Sequence, residues 1–299
     1  MNTKKVVSTI LLFVTAIIWG SAFVAQTVGM KFIGPFVFNF SRNILAGIAL
    51  IPCIFILDKV NKNNPEKKKI SSKKQLIIAG LATGVALFLG ATFQQIGIQY
   101  TTTAKSGFIT ALYIVIVPVL ALFIGKKSTI KIWISVLIAI VGFYFLSIKS
   151  DLSINKGDIY TLIGSVCFSL HILTIDHFSS KVDIVRMSCI QFFTAGLISL
   201  VPALIFETFD ISALQAALIP ILYAGLLSSA VGYTFQMIAQ KNTEPTIASL
   251  VLSLESVFAA LAGWIALNQT LSAREIMGCA IVFLAILYAQ TPDRRRLKN

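Results

Sequence analysis

Of 299 residues, 57% are hydrophobic and only 12% are charged, and the mean hydropathy is +0.86. A soluble domain carries about twice that charged fraction, so the composition excludes a soluble enzyme, a disordered chain and a disulfide scaffold. The net charge of +13, from 25 Lys+Arg against 12 Asp+Glu, is read as basic loops beside a membrane and not as a nucleic-acid surface.

Ten apolar runs follow one another at roughly 6–28, 35–57, 75–98, 104–124, 130–148, 158–176, 184–206, 215–238, 246–267 and 272–290. Each is close to the ~20 residues that a span needs. In lipid each must satisfy its own backbone, so helices are expected, not barrel strands. The first run follows Lys4 and Lys5 like a secretory signal, but Gly20-Ser21-Ala22 is a poor cleavage site and the run is read as a retained span. The cysteines Cys53, Cys167, Cys189 and Cys279 all lie in apolar runs without CxxC or His-paired spacing, so they are read as small membrane-buried residues. No metal or cofactor is expected.

Orientation follows from the basic residues. With the N-terminus inside and the spans alternating, 19 Lys/Arg fall on the cytoplasmic side, seven of them lysines in 58–74, against 5 on the other. That asymmetry predicts a multi-pass plasma-membrane protein with both termini in the cytoplasm.

The two halves resemble each other. Phe93-Gln94 aligns with Phe235-Gln236 at an offset of 142, which places Leu112 on Leu254 and Tyr113 on Glu255. Earlier in each half the offset is 149, pairing Trp19 with Phe168 and Arg42 with Gln191. The expected fold is therefore all-α and polytopic, ten transmembrane helices in two five-helix repeats at 1–150 and 151–299. Five is odd, so the second copy enters the membrane inverted, an arrangement that recurs in alternating-access transporters.

Several stretches carry a wider resemblance: Trp19-Gly20-Ser21, the FNFSR run ending at Arg42, the block from Gln94 to Pro118, and LESVFAALAGW from Leu254 to Trp264. In this order the chain resembles the EamA family of the drug/metabolite transporter superfamily, along nearly its whole length. The resemblance implies a ten-span permease. It departs from the family where Gly-Glu often follows span nine, here Asn268-Gln269, and where Pro often follows the span-nine Glu, here Ser256.

Polar residues inside the spans are the candidate site. Arg42 lies seven residues into span two, on the order of 10 Å deep. There it is either a fixed charge for a substrate carboxylate or phosphate, or an anchor bonded to helix carbonyls. Glu255, in the middle of span nine, suits a proton carrier or a ligand for a cationic group, against a packing role. His171 and Asp176 spell HxxxxD, but five helical residues turn the two side chains about 140° apart, which argues against acyl transfer. His171 itself is a candidate cavity residue. So are Trp19, Asn39, Gln94, Gln95, Tyr113, Gln191, Tyr233 and Gln236, with interhelical hydrogen bonding the alternative for each. Trp133 and Trp264 fit an interfacial belt. Gly80/Gly84 and Ala259/Gly263 permit close helix contact and leave a homodimer open.

These residues favour a secondary transporter for a small organic metabolite or amino-acid-like solute, with export as one direction it allows. The fragment Gly125-Lys126-Lys127-Ser128 lacks the earlier glycine of a P-loop, so ATP is not the direct driver. The alternatives are a lipid or lipid-carrier flippase, an intramembrane lipid-modifying enzyme, and a non-transporting assembly partner. The expected partners are a small-molecule substrate and the lipid bilayer, without nucleic acid.

Overall fold

The computed structural model describes residues 3–61, 72–126, 128–147, 155–267 and 272–291. The middle of the lysine-rich loop, Lys127, Asn268-Gln269 and the basic residues at 294–298 lie outside them. Every regular element among the described residues is a helix. Helices α1 (Thr3–Gly29), α2 (Pro35–Asn61) and α3 (Lys73–Ile98) each run unbroken. The fourth apolar run divides into α4 (Thr103–Ala111) and α5 (Tyr113–Phe123), followed by α6 (Ile130–Ser147), α7 (Lys156–Phe178) and α8 (Ile184–Phe206). After a short α9 (Ile211–Ala216), the eighth run is composite: α10 (Leu218–Leu222), a π-helical stretch (Tyr223–Tyr233) and α11 (Thr234–Gln240). The ninth divides into α12 (Pro245–Leu252) and α13 (Glu255–Leu267), and α14 (Ala273–Gln290) closes the order.

Eight of the ten expected runs are long and apolar enough to cross a membrane. The other two are shorter, Ile130–Phe145 and Ile276–Ala289, and their helices α6 and α14 pack on each other. The outward faces stay apolar, with Phe55, Phe206 and Ile265 exposed as lipid contact requires.

Local chemistry explains several helix ends. Asn155 and Asp158 form a reciprocal capping box at α7, with bonds of 3.0 and 2.9 Å. The Asp183 carboxylate accepts the Arg186 N–H at 2.8 Å to open α8. Pro245 stands at the start of α12, where its missing N–H costs nothing. Gly125 ends α5 with φ +76°, while the N–H groups of Lys126 and Gly125 donate back to Ala121 O and Leu122 O. That pattern is a glycine-terminated helix end, and it accounts for the Gly-Lys pair without a phosphate cradle.

Helix α3 lies against α7 and α8, while α1 and α2 lie against the π-helical stretch; α2 also packs on α8 and α1 on α13. Small residues set these distances. A Cβ at Gly84 of α3 would sit 2.8 Å from Gln191 O of α8, and one at Gly225 would sit 3.0 Å from Arg42 O of α2. Gly90 closes on the Phe168 ring, and Gly232 on Trp19. Between α2 and α8, Gly47 meets Phe193 and Gly196 meets Ile44. The Gly80/Gly84 pair thus packs α3 on α8 within one chain.

Ion pairs tie helix ends together. Arg186 meets Asp58 at 2.6 Å, Lys105 meets Asp158 at 2.6 Å, and Lys126 pairs with Asp176. Both oxygens of Glu207 accept N–H groups at the start of α2, from Phe36 at 3.0 Å and Val37 at 2.8 Å. The four cysteines form no disulfide; Cys189 is buried, Cys167 and Cys279 are partly buried, and Cys53 faces outward.

Candidate functional site

Where α1, α2, α3, α7, the composite eighth run and the two broken runs converge, they line a partly open pocket with about 430 Å³ of empty space, adjoining solvent included. Eight of the residues singled out from sequence line it: Trp19, Arg42, Gln94, Tyr113, His171, Tyr233, Gln236 and Glu255.

Arg42 enters from α2 and is 4% exposed. Its Nε donates to Ser229 Oγ at 3.1 Å, Nη2 to Ser228 Oγ at 3.3 Å and Nη1 to Gln26 Oε1 at 3.5 Å. The side chain therefore points inward and does not snorkel. Its partners are hydroxyls and an amide, not the helix carbonyls that an anchoring role would use. Three of the five guanidinium N–H groups are engaged, and all three by neutral oxygens. A buried cation without a counter-charge is costly, and a ligand carboxylate would supply that charge.

Glu255 and Tyr113 occupy matching places in the two broken runs. Each is the first residue after a break, Tyr113 beginning α5 and Glu255 beginning α13. Both are buried, and the Tyr113 hydroxyl and the Glu255 carboxyl interact with each other, although the hydroxyl and Glu255 Oε1 fall outside strict hydrogen-bond geometry. Gln236 Oε1, also on the wall, is unpartnered. Buried polar groups are normally satisfied, so the Gln236 oxygen and the Tyr113–Glu255 pair leave hydrogen-bonding capacity on the cavity wall.

An aromatic wall runs beside them. Trp19 lies 4.5 Å from Tyr233 between centroids, and its indole N–H donates to Ser228 O at 3.1 Å. The His171 ring meets Tyr233 edge-on at 5.6 Å, and its Nε2 contacts Gln191 Oε1 at 2.8 Å. Asp176 is turned away from His171, onto Lys126, so the HxxxxD pair is not assembled. Gln94 Nε2 donates to Thr110 Oγ1 at 3.0 Å.

Three sequence candidates stand off the wall. Asn39, Gln95 and Gln191 are fully buried; only Gln191 reaches the lining, through His171. Conversely, Gln26, Thr110, Ser228, Phe23, Phe168 and Ile172 line the cavity without having been singled out. Hydroxyls, amides and aromatics recur throughout these spans, and spacing alone does not separate wall from packing. No group of three or more His, Cys, Asp or Glu suited to a metal occurs among the described residues.

The profile of the EamA-like transporter family matches twice, over residues 7–148 and 155–290. The chain belongs to the EamA-like transporter family. A protein of Archaeoglobus fulgidus described as an uncharacterized transporter is 31% identical over 287 residues, covering 96% of this chain and 86% of its own length. The uncharacterized transporter YoaV of Bacillus subtilis is 24% identical, over 90% of this chain and 92% of that one. A chloroplastic WAT1-related protein of Arabidopsis thaliana is also 24% identical, over 92% and 67%. One solved crystal structure shares the fold, with a TM-score of 0.77 at 15% identity over 96% of this chain. Family membership and the apolar helices together make this a multi-pass membrane transporter.

Proposed function

We propose that the chain is a secondary transporter for a small zwitterionic, amino-acid-like solute, working by alternating access of two inverted five-helix repeats. The observation that carries this reading is the cavity. It is lined by a guanidinium with only neutral partners, by a buried carboxyl whose partner is the neutral Tyr113 hydroxyl, and by aromatic rings. The guanidinium suits a carboxylate, the carboxyl suits an ammonium, and the aromatic wall suits an apolar body.

Repeat symmetry is supported by reciprocal contacts. A shift of 149 relates Gly47 and Ile44 to Gly196 and Phe193, and each glycine closes on the other's partner. The same shift relates Trp19 to Phe168, each set against a glycine of the eighth or third run, and Arg42 to Gln191, whose carbonyls face Gly225 and Gly84. The breaks at Leu112 and Leu254 are themselves related by the shift of 142. Interrupted helices at matching positions of two halves are where midplane sites form. By the basic-residue asymmetry, both termini are assigned to the cytoplasm of the plasma membrane.

Purified protein in liposomes, loaded with and challenged by a panel of zwitterionic, anionic and cationic metabolites with and without a pH gradient, tests the reading. Counterflow of zwitterions is expected. Flux confined to cations or to singly charged anions would contradict it.

A further inference from the structure

Spans three and eight do not match in one respect. Helix α3 is regular α-helix throughout, whereas its counterpart is π-helical from Tyr223 to Tyr233. The glycines locate the difference. Gly84 and Gly225 face the same kind of backbone carbonyl, and Gly90 and Gly232 the same kind of aromatic ring. Yet Gly84 to Gly90 is a step of six residues and Gly225 to Gly232 a step of seven. Span eight holds one extra residue between two fixed packing points. In α geometry that residue would rotate Gly232 by about 100° off Trp19. The wider i→i+5 turn of a π-helix absorbs it.

We infer that this one-residue π-helical insertion positions Arg42, through Ser228 and Ser229, to recognise the carboxylate of the transported solute. The wider turn sets consecutive side chains closer in angle than the ~100° of an α-helix. Ser228 and Ser229 accordingly both reach one edge of the guanidinium, Oγ of Ser228 to Nη2 and Oγ of Ser229 to Nε. With Gln26 on Nη1, one N–H on each terminal nitrogen is left for a carboxylate, which Arg can hold with two parallel bonds. Helix α1 seats the insertion: Trp19 Nε1 donates to Ser228 O at 3.1 Å and Thr15 Oγ1 to Gly232 O at 3.3 Å. The residues that would be lost in regularising the helix are not on the cavity wall, since Leu226 and Leu227 face outward, 38% and 42% exposed.

This inference rests on the zwitterionic-solute reading, and the test separates the two. In a Trp133→Phe/Trp264→Phe background Trp19 is the sole tryptophan and reports the site. The protein in nanodiscs is titrated with each of the twenty proteinogenic amino acids and with its carboxamide, following Trp19 emission. In the parent protein an amino acid binds at least about tenfold more tightly than its amide, the scale of one lost charge-assisted hydrogen bond. Deleting Leu227 restores the six-residue step and brings that ratio to within about twofold, while Ser228→Thr keeps it. Should the deletion variant not fold, Ser228→Ala/Ser229→Ala takes its place with the same expectation. A merely structural role would weaken acid and amide alike and preserve the ratio, which overturns the inference alone. If no amino acid changes Trp19 emission in the parent, the substrate reading falls and the inference with it.

Discussion

In the proposed mechanism Arg42 and Glu255 divide the chemistry of the cavity between them, and substitution should separate their contributions. Arg42→Gln removes the charge and two of the three hydrogen-bonding nitrogens while keeping a polar side chain, so counterflow in liposomes should drop to background in a protein that still elutes as a single species. Arg42→Lys keeps a point charge but not the fork, and intermediate flux is expected. Normal flux in Arg42→Gln would make the residue an anchor. Glu255→Gln keeps volume and hydrogen bonding but cannot lose a proton. If Glu255 carries the proton, pH-driven accumulation disappears while exchange persists; if it binds the ammonium, both fall together. Survival of both activities would remove Glu255 from the mechanism. These two positions were legible in the sequence because an ionisable side chain in an apolar run has few reasons to be there. Ser228 and Gln26 were not, because a serine or glutamine in a span bonds a neighbouring helix as readily as a ligand. Asn39 and Gln95 are the reverse case: the same residue types, equally buried, but away from the wall.

At the scale of elements, hydrophobic length placed all ten runs close to their helices, and caps such as Asn155/Asp158 agree with their chemistry. The interruptions inside the runs were not legible. The break at Leu112 has no glycine or proline on it, and the nearest, Gly107 and Pro118, lie within α4 and α5. The π-helical stretch is visible only once Gly84 and Gly225 are seen against matching backbone carbonyls. That close approach makes a further prediction. A methyl group at Gly84 meets the Gln191 carbonyl at 2.8 Å, and backbone cannot move aside as a side chain can. Gly84→Ala should therefore push α3 off α8 and cost about 1–3 kcal/mol, read as a lower midpoint in a thermal-shift assay in detergent. Gly125→Ala, where the chain needs φ +76° but the surroundings are open, should cost only about 1 kcal/mol. An equal or larger loss at Gly125 would mean that packing does not set the α3–α8 distance.

For the whole molecule, the sidedness and the motion are one claim, because an inverted second half follows only if each half holds an odd number of spans. Single cysteines at Ser72 and Ser212, both exposed, in a chain lacking Cys53, Cys167, Cys189 and Cys279, should respectively resist and accept an impermeant maleimide in intact cells. The opposite pattern would reverse the orientation. The most direct test of alternating access uses the same background with Gln236→Cys, a wall position whose side-chain oxygen has no partner. An impermeant maleimide is applied separately to right-side-out and inside-out membrane vesicles, and the rate of modification is measured in each. A cavity that opens in turn to either side predicts modification from both. Modification from one side only, in the absence and presence of every transported solute, would contradict it.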